Sequence, residues 1–131
     1  MKRVALLGLL APIVLVAVAA PASAHHSFAP FDITTQKTVS GAVKEVEWTN
    51  PHTWIWVDVP NDKGGVDTWG FEGMSPNFLA RRGWRKDTLK PGDKITVVFR
   101  PLKDGSKGGM FVNATLPSGK VMTMIGEPTD R

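Results

Sequence analysis

The residues that follow Pro51 alternate between two kinds of side chain, and this alternation limits the fold more than any other feature of the sequence. Aliphatic or β-branched residues occupy every second position, namely Thr53, Ile55, Val57 and Val59. The positions between them hold Trp54, Trp56 and Asp58. A period of two is typical of a β-strand with one face in the core. The pattern predicts a strand over 52–59 whose second face carries two indoles.

A second strand pattern, over 38–48, changes phase partway along. Val39 and Val43 share one face, whereas Val46 falls in the opposite phase. One extra residue near positions 44–45 would bring all three valines to the same side, and a β-bulge supplies such a residue in a strongly bent strand. The sequence therefore predicts a long, bent first strand with a bulge.

The rest of the chain supplies further strands and one helix. Strand patterns cover 66–72, 94–100 and 110–116, with a terminal extension at 120–125, and Gly, Pro, Asn or Asp turns separate them. Ser75-Pro76 predicts the start of a short helix, because serine caps a helix and proline fits its first turn. This order predicts an all-β protein, a small five- to six-stranded OB-like Greek-key barrel with one short helix between strands three and four. An open β-sandwich-like meander is the alternative.

The first 24 residues are predicted to be a secretory signal peptide. Lys2 and Arg3 precede an apolar run over 4–20, and Ala22-Ser23-Ala24 offers the small residues that a signal peptidase needs. A retained transmembrane anchor is the alternative, which Pro12 within the run disfavours. The absence of cysteine excludes a lipid-modified cysteine and disulfides. We therefore expect a soluble periplasmic protein with no membrane anchor after cleavage.

The charge of the chain limits the kinds of partner that it can bind, and its length limits the number of domains. Loss of the signal removes two of the 16 basic residues, which leaves 14 against 12 acidic residues. This small excess, together with export, argues against a nucleic-acid partner. The remaining chain is long enough for one domain. We predict an N-terminal arm over 25–37 that docks through Phe28 and Phe31, a barrel over 38–125 and a flexible tail over 126–131.

All three histidines lie in two short motifs. If the peptidase cuts after Ala24, His25 begins the mature chain, and its α-amine and imidazole can chelate one metal ion. A second imidazole, from His26 or His52, would complete a nitrogen set of the kind that Cu(II) prefers. The sequence thus predicts a site for copper or a similar divalent metal, with Glu45, Glu47 and Glu72 as candidate oxygen ligands. The alternative is a frayed polar N-terminus, with His52 only capping its turn.

The tryptophans give a second candidate site. OB-folds commonly bind ligands on the face of strands two and three. Trp54, Trp56 and Trp69 are expected to project there, where indoles would stack on an envelope oligosaccharide or hold a partner protein. The alternative is that the N-terminal arm and the loop with Trp84 cover these indoles as a second small core.

Other sequence patterns give less support for a metal site or for an active site. Two thioethers in Met122-Thr123-Met124 could bind Cu(I), but this segment is far in sequence from the histidines, so core packing is favoured. The chain has no cysteine, no serine in a Gly-x-Ser-x-Gly elbow and no phosphate-binding glycine loop before a helix. We therefore predict a binding protein rather than an enzyme.

Several short motifs resemble those of a known protein family. They are His25-His26-Ser27-Phe28-Ala29, Phe31-Asp32, Gly41-Ala42-Val43, Trp48-Thr49-Asn50-Pro51-His52, Gly83-Trp84 and Leu89-Lys90-Pro91-Gly92-Asp93. Over essentially the whole mature chain, the sequence is similar to a family of small exported bacterial proteins known as a domain of unknown function. The resemblance implies one exported β-domain and carries over no catalytic residue.

Overall fold

Six β-strands and one short helix make up the fold, which a computed structural model describes over residues 28–126. The strands are β1 (Lys37–Glu47), β2 (Trp54–Pro60), β3 (Val66–Glu72), β4 (Lys94–Pro101), β5 (Gly108–Thr115) and β6 (Val121–Thr123). The helix, α1 (Pro76–Arg81), lies between β3 and β4. Ser75 caps it by accepting a hydrogen bond from the backbone N–H of Phe78, as the Ser-Pro pair predicts.

The strands close into a five-stranded barrel. β1 pairs antiparallel with both β2 and β4, β2 pairs with β3, and β4 pairs with β5. A parallel pairing of β3 with β5 joins the two ends of the sheet, and β6 adds to β5 outside the closed ring. This is the OB-fold strand order, with the helix where that fold has it. The prediction of a small OB-like barrel is confirmed.

The parallel joint between β3 and β5 depends on close contact between backbones. A Cβ atom at Gly108 would overlap the carbonyl oxygen of Gly70, and one at Gly109 would overlap the carbonyl oxygen of Arg100. Gly108 also has a φ of 145°, which glycine adopts far more readily than other residues. The two glycines therefore begin β5 and allow three strands to meet, whereas the sequence pattern placed them in a loop.

A bulge bends β1 between its two partner strands. The register with β2 passes from Val43–Val57 to Glu45–Trp56, which leaves Lys44 as the extra residue. The predicted bulge near positions 44–45 is thus confirmed. It allows the first half of β1 to pair with β4 and the second half to pair with β2, with core residues contributed by both halves.

Aromatic and aliphatic side chains fill the barrel. Phe71 lies at the centre, with its ring centroid 5.0 Å from that of Phe99 and 6.4 Å from that of Phe111. The inward side chains of β2 are Ile55, Val57 and Val59, and Thr53, just before the strand, is buried as well, as their alternation predicts. These contacts form one continuous core, and its burial is the main source of stability in a chain without disulfides.

The residues after α1 and β6 close one end of the barrel. Trp84 is buried, contacts Phe111 edge to face at 5.7 Å and donates its indole N–H to the carbonyl oxygen of Thr123 at 2.9 Å. Met122 and Met124 are also buried in the core. The preference for core packing over a thioether metal site in this segment agrees with their burial.

The N-terminal arm joins the barrel along the end of β4. Phe31 is buried and forms a β-bridge with Leu102, and the N–H of Asp32 donates to the carbonyl oxygen of Pro101 at 2.8 Å. Docking through Phe31 is confirmed. Phe28 is 51% exposed, so the expected docking of that ring is wrong. Among residues 28–126, no helix is long and apolar enough to cross a membrane.

Candidate functional site

The outer surface of β1, β2 and β3 carries the candidate site. Directly paired residues of neighbouring strands point to the same side of a sheet. The outward rows are Glu47–Trp54–Glu72, Glu45–Trp56–Gly70 and Ala42–Asp58–Thr68. We call these nine residues the outer tryptophan face. They alternate along each strand with the residues that fill the core.

Two partly exposed indoles lie at the centre of this face. The ring centroids of Trp54 and Trp56 are 5.6 Å apart, and their planes differ by 14°. Trp56 donates its indole N–H to Oε1 of Glu47 at 2.6 Å. On its other side the ring lies over Gly70, where an added Cβ would come within 2.5 Å of Cζ3. The Trp56 ring therefore spans from β1 to β3 and is held at both ends.

The outer tryptophan face is acidic. Four of its nine residues carry carboxylates, namely Glu45, Glu47, Asp58 and Glu72. Two ammonium groups lie at its far row, since Lys44 reaches Thr68 and Lys94 pairs with Ala42. Nζ of Lys44 lies 3.1 Å from Oγ1 of Thr68 and 3.9 Å from Oδ1 of Asp58, at the far row of the face. The sign of this surface is opposite to the net charge of the whole chain, which is +4.

His52 lies at one edge of the face, just before β2. Its Nδ1 is 2.9 Å from Oε1 of Glu72 and 3.1 Å from the carbonyl oxygen of Gly73. Both partners accept hydrogen bonds, so Nδ1 is the donor in these contacts. A carboxylate that fixes Nδ1 in this way is common behind metal-binding histidines.

The predicted metal ligands are only partly within the structure. His25 and His26 lie outside the described residues, so their approach to His52 stays a prediction. Among residues 28–126, no three His, Asp or Glu side chains form a group that could hold a metal ion. His52 and Glu72 by themselves bring one imidazole and one carboxylate together.

Trp69 does not belong to the outer face, and the expectation that it projects beside the other two indoles is wrong. It pairs with Val57 on the core side of the sheet. Its ring lies edge-on to Phe99 at 5.8 Å and 6.4 Å from the ring of Phe71. Trp69 and Phe71 are two residues apart in one strand and so share a face, and this spacing was the signal that Trp69 faces inward. Trp84 is also inside the barrel, so its loop does not cover the outer indoles in the way that the alternative required.

Sequence reasoning missed two residues that shape the face. Gly70 leaves the space that the Trp56 ring occupies, and Lys44 reaches across the sheet from the bulge. A strand glycine opposite a tryptophan is the signal that could have identified the first, but it requires the strand register. The position of Lys44 depends on which residue of β1 is the extra one.

A groove of about 760 Å³ adjoins the far row of the outer tryptophan face and extends over β1, β4 and the end of β5. Its lining includes Ser40, Ala42, Thr96, Leu116 and Pro117, with Asp58 and Lys94 as its charged groups. It contains no aromatic side chain and no histidine. The groove therefore offers fewer side chains that could recognise a ligand than the outer tryptophan face does.

Comparison with known proteins gives one match. The model of a family of unknown function (DUF6152) matches residues 12–126. No curated protein and no solved structure matches the chain. The resemblance to a domain of unknown function is therefore confirmed.

Proposed function

The chain belongs to this family of unknown function, and from its geometry we propose that it is a binding protein whose ligand surface is the outer tryptophan face. One observation carries the proposal: two nearly parallel, partly exposed indoles lie on the outer side of β2, at the location where OB-folds commonly bind ligands. Large aromatic side chains contribute much of the energy of protein interfaces and stack on sugars. Their exposure on an otherwise well-packed barrel favours a binding role.

The fixed position of Trp56 supports this proposal. The hydrogen bond to Glu47 and the gap above Gly70 restrict its ring before any ligand arrives. A glycine within a strand is less stable than alanine by about 0.5–1 kcal/mol, so Gly70 is costly unless the ring position matters. A side chain ordered in advance loses less entropy on binding, which raises affinity.

The proposed setting is the periplasm, which follows from the predicted signal peptide over 1–24. In that compartment the two ligand classes that indoles suit are a partner protein and an envelope oligosaccharide. Both would lie along β2 and contact Trp54 and Trp56 together.

The test compares two surface substitutions. Trp56→Ala is expected to abolish capture of the ligand, from envelope extract or from a panel of envelope oligosaccharides, while the far-ultraviolet circular dichroism stays that of the native fold. Val66→Ala removes a 57% exposed aliphatic side chain from the same sheet and serves as the matched control, which should retain capture. Capture that is unchanged in Trp56→Ala would contradict the proposal.

A second proposal concerns copper or a similar divalent metal. His52 would supply one imidazole, and His25, with its α-amine, and His26 would supply the others once the signal is removed. The supporting observation is the anchoring of Nδ1 by Glu72 and Gly73, which orients the ring as in many metal sites.

The path of the arm also supports the metal proposal. Phe31 is bridged to Leu102, in the connection from β4 to β5. In the same connection, the carbonyl oxygen of Lys107 accepts a hydrogen bond from the N–H of Gly70, beneath Trp56. The arm and the strand that carries Gly70 therefore contact the same connection between β4 and β5.

Titration with Cu(II) tests the metal proposal. Correctly processed protein should bind at least about tenfold more tightly than a variant with one extra N-terminal residue, because the extra residue displaces the α-amine from His25. His52→Gln should weaken binding as well. Equal, micromolar or weaker binding by all three proteins would exclude the site.

A further inference from the structure

We propose that the outer tryptophan face recognises a cation, specifically the Arg or Lys side chains of an extended basic polypeptide. This inference rests on the proposed function of the face and narrows its ligand from two classes to one. Three observations on the face support it: the charge around the indoles, the polarisation of Trp56 and the spacing of the rows.

The charge around the indoles favours a positive ligand. Glu47 already accepts a hydrogen bond from Trp56, and Glu72 is paired with His52. Glu45 lies directly opposite Trp56, is exposed and forms no hydrogen bond or ion pair with another described residue. Lys44, next to Glu45 in the chain, directs its ammonium group toward Asp58, and Lys94 also lies at that far row. The carboxylate next to the central indole is therefore left for a ligand.

The hydrogen bond at Trp56 strengthens the same preference. A cation above an indole is attracted by the negative charge of the ring face. Donation of the indole N–H to the Glu47 carboxylate polarises the ring and raises that negative charge. A neutral sugar would stack on the ring and donate hydroxyl hydrogen bonds to Glu45, but it would lack the ion pair and the cation–π attraction that a cation gains. An anionic ligand would be repelled by the four carboxylates.

The spacing of the face suits an extended peptide. The rows centred on Trp54 and Trp56 are two residues apart along β2, which corresponds to about 6.6–6.8 Å. Side chains at positions i and i+2 of an extended polypeptide are separated by the same distance. Basic residues at alternate positions would place one cation on each row, one beside Glu45 and Trp56 and one over Trp54.

Calorimetry with three probes tests the inference. The probes are a capped hexapeptide that alternates Arg and Gly, the same peptide with citrulline in place of Arg, and a hexamer of N-acetylglucosamine. Citrulline keeps the shape of arginine without its charge. The Arg peptide should bind at least about tenfold more tightly than the citrulline peptide, and added salt should weaken its binding.

Two variants separate local recognition from general attraction. Glu45→Gln should weaken binding of the Arg peptide by about tenfold. Asp62→Asn changes the net charge equally, at an exposed carboxylate in the turn between β2 and β3, and should leave binding nearly unchanged. Equal losses in the two variants would overturn the inference, because the peptide would then respond only to overall charge.

The same probes distinguish a failure of this inference from a failure of the proposed function on which it rests. If the sugar hexamer binds and Trp56→Ala removes that binding, while the Arg peptide does not bind, the face is a ligand surface and the cation preference is wrong. If the Arg peptide binds equally well to the native protein and to Trp56→Ala, both the preference and the proposed ligand surface are wrong.

Discussion

The two faces of β2 differ in what holds their side chains in place. The inward side chains of the strand are Ile55, Val57 and Val59, each at most 8% exposed and surrounded by the barrel core. The outward side chains are Trp54, Trp56 and Asp58, each partly exposed. Hydrogen bonds connect this outer set to β1 and β3: Trp56 donates to Glu47, and Asp58 accepts from Thr68. One strand thus carries a packed face and a face organised by polar contacts.

This difference indicates which residues the fold requires. On the inner face, an apolar side chain of similar volume would preserve much of the stability. On the outer face, polar residues that favour strands, such as threonine, are also compatible with the fold, so the barrel core does not require two tryptophans there. The outer set is therefore better explained by binding, and the comparison can be tested by removing side chains from each face in turn.

Ile55→Ala should have the largest effect on stability. The side chain is 1% exposed, so its truncation loses buried area and leaves a cavity, at a cost of about 2–5 kcal/mol in the free energy of unfolding. Urea unfolding followed by circular dichroism measures the change. Val66→Ala, at a 57% exposed position, should change the same quantity by about 0.5 kcal/mol or less. A similar cost for both would remove the distinction between the faces.

Trp54→Ala should destabilise the protein less than Ile55→Ala, by about 1–2 kcal/mol, because a partly exposed indole loses only part of its area to folding. Ligand capture should be lost nonetheless. Urea unfolding and the capture experiment measure the two effects on one preparation. A cost equal to that of Ile55→Ala would favour the alternative in which the outer indoles form a second small core.

Local periodicity was enough to predict much of the barrel. The alternation of β2 identified its core residues, and the phase change in β1 identified the bulge at Lys44, since both depend on neighbours in sequence. The closure of the sheet was harder to predict from the sequence. Gly108 looks like a loop glycine until β3 lies against it, because the contact that requires glycine joins residues 38 positions apart.

The candidate site was harder to predict than the fold for the same reason. Trp54 and Trp56 were placed together correctly, since they are two residues apart on one strand. Trp69 was misplaced because proximity of two strands was taken as proximity of their outer faces. The acidic character of the face arises from three strands, so Glu45, Glu47 and Glu72 become one surface only once the register is known.

Gly70→Ala tests whether the outer face depends on a fixed Trp56. The new Cβ would come within 2.5 Å of Cζ3, so the ring must move outward, whereas alanine itself favours the strand over glycine. The net change in unfolding free energy should be about 1 kcal/mol or less. Tryptophan fluorescence should shift to longer wavelength, and ligand capture should weaken. Gly65→Ala, where the new Cβ meets only Asn61 at ordinary distances, should alter neither.

The prediction with the smallest expected effect concerns the end of β3, where the inward-facing residues are no longer fully buried. Asp67 pairs with Val59 in the inward phase of β3, yet it lies near the end of the strand and is partly exposed. A hydrogen bond from the Lys107 ammonium group, followed by one from the Asn61 amide, holds the pKa of Asp67 below its usual 3.8. Because the pKa is lower in the folded state, the carboxylate stabilises the fold above about pH 3.8, and this contribution is lost as the pH falls through the folded pKa.

Lys107→Met should raise the pKa of Asp67 toward its usual value and flatten the acid dependence of stability below about pH 4. Nuclear magnetic resonance titration of the Asp67 carboxyl carbon measures the pKa directly. Lys120→Met removes an equal charge at an exposed position elsewhere and should leave the titration unchanged. Equal shifts in the two variants would show that general charge, not the specific contact, sets the pKa. A shift confined to Lys107→Met would show that polar contacts also hold residues at the edge of the inward face. Whether a side chain is held by packing or by polar contacts would then depend on its burial and not on strand phase alone.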